Sequence, residues 1–480
     1  MTRATTNLIL IMGAFFLTAG CASMAPDYKQ PELPVAETWP QGEAYSEATD
    51  GPTAAELPWR EFFRDERLQQ LIELALENNR DLRVAALNVE RARAQYRIQR
   101  SDLFPDIGAG GSFNRQRQPD ITGFGRVMHF EQYGVNLGLA SWELDFFGRI
   151  RSLKEQALES YFATEEARRA AHIALIGEVA NAYLNLAADR ERQALARETL
   201  ASHQSTYDLT QRRFELGVAS ALEVRQAQTS VEGTKVDIAR FTSLIAEDEN
   251  ALRLLTGGEL PETLLPAAPL KTATTLSPLS AGVPSEVLLQ RPDILAVEHR
   301  LKGANANIGA ARAAFYPRIS LTTNGGFAST ELSDLFTSDA RAWAFSPRID
   351  IPIFTAGRLQ AQLETAEIDR DILINQYEGA IQTAFREVAD TLARRGTIDE
   401  QLQAQRALVE ATSETYRLSE TRFDKGIDSF LQVLDAQRAL YGAQQNLINI
   451  ELADLASQVN LYKVLGGGAT EPAREVQPSN

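Results

Sequence analysis

Histidine occurs only at 129, 172, 203 and 299, and no two have the HxxxH or HExxH spacing that brings a pair of imidazoles to one metal. Cys21 is the single cysteine, which excludes a disulfide framework and any multi-thiolate zinc site. Gly466-Gly467-Gly468 lacks the Lys-Ser/Thr of a phosphate loop and reads as a helix terminator. No nucleophile set, acid–base cluster or cofactor motif is present, so no enzyme activity and no cofactor are expected. Charged side chains at helical spacing offer more. Leu431 and Asp435 are four apart and share a helix face, and Arg438 follows Asp435 by three. Glu223 lies in a related stretch of the first half. Taken alone, these four are ordinary solvated helix residues. His129, beside Phe130, is expected in an exposed connection between strands.

The 480 residues carry 64 acidic and 48 basic side chains, a net charge of −16, which disfavours nucleic acid as a partner. A hydrophobic content of 44% supports a large core and argues against global disorder. Leu8 to Ala19 is an apolar run of 12 broken only by Thr18, too short to span a bilayer and suited to a secretory signal. It ends in Leu17-Thr18-Ala19-Gly20-Cys21, which resembles a bacterial lipobox with Cys21 as the lipidated first residue. In lipoprotein sorting an Asp after that cysteine favours the inner membrane. Ala22 stands there instead, and the resemblance therefore implies the outer membrane.

The elements that position these residues come in two copies. Arg212 to Ser220 (RRFELGVAS) returns as Thr421 to Ser429 (TRFDKGIDS) at an offset of 209, and Gly148-Arg149 returns as Gly357-Arg358. A repeat this long is a duplicated half-protein, not a solenoid. No proline lies between Pro119 and Pro261 or between Pro352 and Pro472, and both gaps are rich in strong helix formers. Gly217 and Gly426 interrupt them at matched places. The stretch Arg190 to Leu255 is expected to fold as two helices about Gly217, long enough for coiled-coil packing, with Ala180, Ala182, Ala187 and Ala188 allowing close approach.

Each half also carries two stretches of period two. They run over Asp106 to Asn114, Tyr133 to Trp142, Arg318 to Ala328 and Trp343 to Phe354, with one apolar face and one small or polar face. The pattern fits outer-membrane barrel strands and equally a half-buried soluble sheet. Four strands cannot close a membrane barrel, and open edges are forbidden in lipid. If the strands are in a membrane, several chains share one barrel. Two copies give eight strands, with an interior largely filled by side chains; three give twelve, which suits a conduit better.

Several runs together are similar to the outer-membrane factors of tripartite efflux systems. They are Leu288 to Ile294 (LLQRPDI), Ala304 to Pro317 (ANANIGAARAAFYP), Pro352 to Arg358 (PIFTAGR), Leu434 to Arg438 (LDAQR) and Val459 to Gly468 (VNLYKVLGGG). The resemblance covers the chain from the lipobox to Gly468 and is nearest the lipoprotein branch typified by OprM, farther from TolC. It implies a mainly α fold with membrane β. In this homotrimer, four strands per chain complete a twelve-stranded outer-membrane barrel, and long antiparallel coiled-coil helices form a periplasmic tunnel. Expected segments are a signal peptide (1–20), a lipidated N-terminal and equatorial segment (21–67), a first repeat (68–256), an equatorial linker (257–285), a second repeat (286–465) and a tail (466–480).

The resemblance also implies roles. Leu431 and Asp435 fall on the periplasmic gate, where three copies make an apolar and an acidic ring, and Glu223 and Arg438 lie nearby. TolC-type gates carry a further acid where this chain has Gln432. The tip turns Gly217-Val218-Ala219-Ser220 and Gly426-Ile427-Asp428-Ser429 are expected to meet a periplasmic adaptor, and an inner-membrane transporter of the RND type supplies the energy. Outer-membrane lipids surround the barrel. The implied function is a passive exit duct for drugs and other small amphiphiles. A duct for metal ions or secreted proteins is the alternative within the family. Outside it, a periplasmic adaptor is disfavoured by the four strands, and a lipid-anchored enzyme by the missing chemistry.

Overall fold

The computed structural model describes residues 23–45, 54, 57–118, 128–266, 269–270, 276–277 and 285–468. Cys21, the expected signal and most of the expected tail lie outside them. Eight helices and four strands carry the description below: α1 (Trp59–Phe62), α2 (Glu66–Asn78), α3 (Arg80–Ser101), β1 (Ile107–Gln118), β2 (Met128–Leu144), α4 (Arg149–Glu215), α5 (Ala221–Thr256), α6 (Pro292–Ala313), β3 (Arg318–Ser329), β4 (Arg341–Asp350), α7 (Arg358–Asp424) and α8 (Phe430–Val464). None of these helices is long and apolar enough to cross a membrane. The chain divides into two compact units, each assembled from three stretches, and each sequence repeat contributes to both.

The first unit (Met1–Glu32, Asn88–Thr164 and Ala296–Tyr377) contains the sheet. Its order is β1-β2-β3-β4, antiparallel throughout, and β1 and β4 are its two free edges. Pairing rows such as Ala109–Leu137–Gly325–Trp343 and Gly111–Val135–Phe327–Arg341 put the expected apolar residues on one face. That face is bare in the single chain: Trp343 is 82% exposed, and Leu137, Phe345 and Ile349 are also exposed. The other face carries Gly110, Asn136, Asn324 and Ala344. Gly138 and Gly326 are backbone-limited there, since a Cβ on either would collide with Thr323 O or Val135 O on the neighbouring strand.

Strict alternation fails at one point. Leu139 pairs with Thr323 but Trp142 pairs with Leu321, and Ser141 sits at φ 53° in the resulting bulge. The extra residue swaps the parity of β2, so Trp142 and Leu144 join the apolar face instead of opposing it. Two strand ends also shift. β4 stops at Asp350, four residues short of Phe354, because Arg318, the first residue of β3, is the last partner it has. His129 lies inside β2 opposite Arg117, not in a connection, because pairing with β1 continues that far.

Salt bridges fix the strand-to-helix corner. Glu143 accepts two bonds from Arg149 (2.9 and 2.7 Å) and meets Arg318 at 2.5 Å. Asp145 accepts from the Arg151 backbone N–H at 2.9 Å in the first turn of α4. Residues 24–30 lie antiparallel along α6, with Asn305 donating to Pro26 O (2.7 Å), Tyr28 donating to Glu298 (3.1 Å) and Gln30 donating to Tyr377 (3.0 Å).

The second unit (Leu33–Leu87, Glu165–Leu295 and Glu378–Asn480) holds α1, α2, α5, α8 and the longer parts of α4 and α7. α4 and α7 are each 67 residues long, and α4 extends well ahead of Arg190. Ala180, Ala187 and Ala188 are buried, as the small-residue stripe implies. The segments on either side of the helical repeats pack together. Phe62 stacks on Tyr462 at 4.3 Å, Tyr462 donates to Leu57 O (2.8 Å), and Ser277 N–H donates to Phe62 O (3.1 Å). Arg291 donates to Val464 O (2.8 Å) and pairs with Asp293 and Glu387.

One acid in this unit is under electrostatic load. Burial, then the neighbouring Asp189 carboxylate, raises the Asp248 carboxyl to about 6, although Arg192 opposes the shift. Its folded pKa lies above the unfolded value, so the native state holds the extra proton between about pH 4 and 6. Stability therefore falls as pH rises through that window and stays lowered above it. Asp248→Asn should raise thermal stability at pH 8 by roughly 1–2 kcal/mol and have little effect at pH 4, as measured by denaturation in detergent at both values.

Candidate functional site

The two long helices end in the same device. At the end of α4, Gly217 (φ 75°) allows Val218 N–H to reach Arg213 O and Gly217 N–H to reach Phe214 O, both at 2.9 Å. At the end of α7, Gly426 (φ 72°) allows Ile427 N–H to reach Arg422 O and Gly426 N–H to reach Phe423 O, again at 2.9 Å. This double bond closes the last carbonyls and needs a left-handed residue, which explains both glycines. A Cβ on either glycine meets nothing within 4 Å, so both turns face open space. Val218 and Ile427 beside them are exposed.

The turns then diverge. Ser220 and Glu223 form a reciprocal capping box at the start of α5, with each side chain bonded to the other's backbone N–H. Ser429 begins α8 without a side-chain cap bond, and Gln432 stands where the first half has Glu223. The second tip is held instead by Arg422, which makes two bonds to Asp428 (2.6 and 2.9 Å). That guanidinium keeps the Asp428 carboxyl below the ordinary carboxylate value.

Beneath the turns the hairpins share one core of Ala227, Phe430 and Leu434, flanked by Tyr207 and Phe423. Arg213 stacks 4.6 Å from the Phe423 ring centroid. Farther along, Gln437 donates to Ser202 (3.0 Å) and Tyr441 donates to Asp237 (3.1 Å). His203 is buried with Nδ1 2.8 Å from Thr234 Oγ1, and burial lowers its pKa, so this imidazole is a neutral tie between helices.

These ties leave one face of α8 uncovered. Val433, Leu434, Ala436 and Gln437 are buried, whereas Leu431, Asp435 and Arg438 are exposed. The Asp435 side chain is 64% exposed, and Arg438 approaches it at 3.6 Å. Leu431, Asp435 and Arg438 therefore share one free surface. Glu223 has a separate job, since its carboxylate caps its own helix. A residue passed over in the sequence is Leu222. The 209-residue offset pairs it with Leu431, and it is 66% exposed. Among the described residues, no group of His, Cys, Asp and Glu is placed to hold a metal ion.

Residues 71–258 and 283–467 match the family described as Outer membrane efflux protein. The chain belongs to that family. Among relatives of this outer membrane efflux protein are the "Antibiotic efflux pump outer membrane protein ArpC" and the "Toluene efflux pump outer membrane protein TtgC", both of Pseudomonas putida. Each is 52% identical over 467 residues, covering 97% of this chain and 96% of the relative. The fold is similar to the open state of the MtrE outer membrane channel of Neisseria gonorrhoeae, with a TM-score of 0.85 and 40% identity, covering 93% of this chain and 99% of that one.

The capping box gives a local test. Glu223→Ala should destabilise the first turn of α5 by about 1 kcal/mol and speed amide exchange there about fivefold. Glu223→Gln should stay near wild type in hydrogen-exchange mass spectrometry, because the amide oxygen also accepts from Ser220 N–H.

Proposed function

We propose that three copies of this chain form the outer-membrane channel of a tripartite efflux pump, a passive exit duct for drugs, solvents and other small amphiphiles. Each chain lends four strands to one twelve-stranded barrel. The long helices continue as a periplasmic conduit, Cys21 carries the lipid anchor, and an adaptor couples the duct to an inner-membrane RND transporter. The observation that carries this reading is an open four-stranded sheet with one bare apolar face, in a family of efflux proteins. The relatives named for antibiotic and toluene efflux favour amphiphilic cargo over metal ions or secreted proteins. Deleting the gene should sensitise cells to several unrelated amphiphilic drugs and raise dye accumulation. Sensitivity confined to copper and silver would transfer the cargo to metals.

The gate assignment rests on the free face of α8. Three copies of Leu431 and Asp435 about an axis make an apolar ring above or below an acidic one. Three converging carboxylates attract cations and repel anions, each interaction of order 1 kcal/mol at about 4 Å in water. Asp435→Ala should raise single-channel conductance in planar bilayers and lower cation-over-anion selectivity about fivefold. Wild-type conductance and selectivity in that variant would remove Asp435 from the gate.

The turns at Gly217 and Gly426 are proposed to meet the adaptor. Their open surroundings let small residues interdigitate with a partner hairpin. Gly426→Trp should preserve the heat-resistant trimer on gels and abolish drug efflux in a complemented deletion strain. Normal efflux would remove the turn from the docking surface.

A further inference from the structure

The outward sheet face changes character toward the ends that carry the β1–β2 and β3–β4 connections. Phe113, Tyr133, Phe327 and Trp343 are the last aromatic positions on the four strands of this face. Beyond them the same face carries Arg115 and Arg117 on β1, His129 and Glu131 on β2, and Arg341 on β4. Arg115 is neutralised by Glu131 at 3.0 Å. Arg117 and Arg341 are exposed, and among the described residues neither has a carboxylate partner, Glu331, Asp334 and Asp339 of the β3–β4 connection included.

Those two arginines stand on the two free edges of the sheet. In a closed barrel, β4 of one protomer lies antiparallel against β1 of the next. β4 has ten residues and β1 has twelve. One register alone keeps every residue of β4 paired within β1 and sets outward residues opposite outward residues. It pairs Arg341 with the partner subunit's Arg117, Trp343 with the partner subunit's Arg115, and Phe345 with the partner subunit's Phe113. Like charges directly opposite across a ladder destabilise it. An anion with several oxygens removes that repulsion, and the guanidinium fork fits phosphate. Below the arginine pair the outward face offers Trp343, Phe345 and Ile349, all more than half exposed, along which acyl chains can lie.

We propose that each barrel seam binds a phosphate of an outer-leaflet glycolipid between Arg341 and the partner subunit's Arg117. The site rests on the trimeric outer-membrane reading given above. It exists only in the assembled barrel, because neither edge alone brings two cations together. Bound lipid clasps the seam from outside.

Two measurements separate the layers. Ala344→Cys with Asn114→Cys, opposite one another on the inward face in this register, should give an oxidised covalent trimer on non-reducing gels. Ala344→Cys with Gly110→Cys should not. Absence of the first cross-link in a heat-resistant trimer overturns this seam and the phosphate site with it, whereas absence of the trimer itself overturns the trimeric reading. Native mass spectrometry with diphosphorylated lipid A should then show up to three lipids per wild-type trimer. Arg117→Gln or Arg341→Gln should weaken that binding about tenfold, the loss of a charge-assisted hydrogen bond. Arg348→Gln, on the inward face, should bind as wild type. Removing the lipid phosphates should mimic the arginine variants, and millimolar inorganic phosphate should not displace the lipid. A formed cross-link with unchanged lipid affinity in both arginine variants, or equal affinity for the dephosphorylated lipid, overturns the phosphate site and leaves the trimer standing.

Discussion

Unpaired backbone on a sheet edge is the constraint from which the rest follows. β1 and β4 each present a row of amide and carbonyl groups with no strand partner among the described residues, beside a face of Ile, Leu, Phe and Trp. In water that combination invites aggregation, and in lipid each unsatisfied group costs several kcal/mol. Lengthening the strands cannot remove an edge; only closure can. A chain with four strands must therefore find its closure in other copies of itself, and a closed ring imposes rotational symmetry on everything attached to it. The exposed face of α8 gains its meaning there. One Asp435 beside an arginine is an ordinary surface pair, worth little. In the proposed gate, three of them about an axis would form a ring whose mutual distance sets an electrostatic barrier.

Duplication explains how one chain supplies both the sheet and the long helices. Each half contributes two strands and a long helical hairpin, and the glycines at 148 and 357 (φ 76° and 82°) turn strand into helix in both. The halves have diverged where their surroundings differ. The first turn, Gly217-Val218-Ala219-Ser220, carries no charged residue and is stabilised by a capping box, and the second carries the Arg422–Asp428 pair. The helix beyond the first tip has Gln226 where the second has Asp435 at the 209-residue offset. The Asp435 carboxylate thus belongs to one hairpin of each protomer, and the matched place in the other is neutral.

Much of this was legible in the sequence because period and punctuation are local signals. Period two identified all four strands and the correct face of each, and the proline-free gaps located the helical hairpins. The misses have physical causes. A bulge changes parity with one residue, and nothing in Leu139-Ala140-Ser141-Trp142 marks it apart from Trp142 falling on the wrong face. The end of β4 is set by the length of its neighbour, which lies outside its own sequence. The cap at Ser220 has a sequence signal of its own, the Ser-x-x-Glu spacing to Glu223, which a reading of Glu223 as a charge near the tip leaves unused. Nothing in a single chain's sequence fixes which exposed acid faces an axis, because the axis belongs to the assembly.

Stabilisation within one chain orders what forms first. Both helical tips have internal stabilisation within one chain: paired glycine closures, a shared core of Ala227, Phe430 and Leu434, and the His203–Thr234 contact. The sheet adds to its three ladders only a few side-chain ties such as Arg115–Glu131 and Arg318–Glu143, while its apolar face and both edges wait for lipid and for neighbours. Helical hairpins can therefore be complete while the sheet is still unsatisfied, and the free energy of insertion is concentrated in closing three seams. A seam made of two strand edges gains backbone bonds and loses exposed apolar surface in one step, so closure is cooperative. Any charge placed on an edge must be answered within the chain, by the neighbouring edge or by the lipid, and Arg117 and Arg341 find no carboxylate among the described residues.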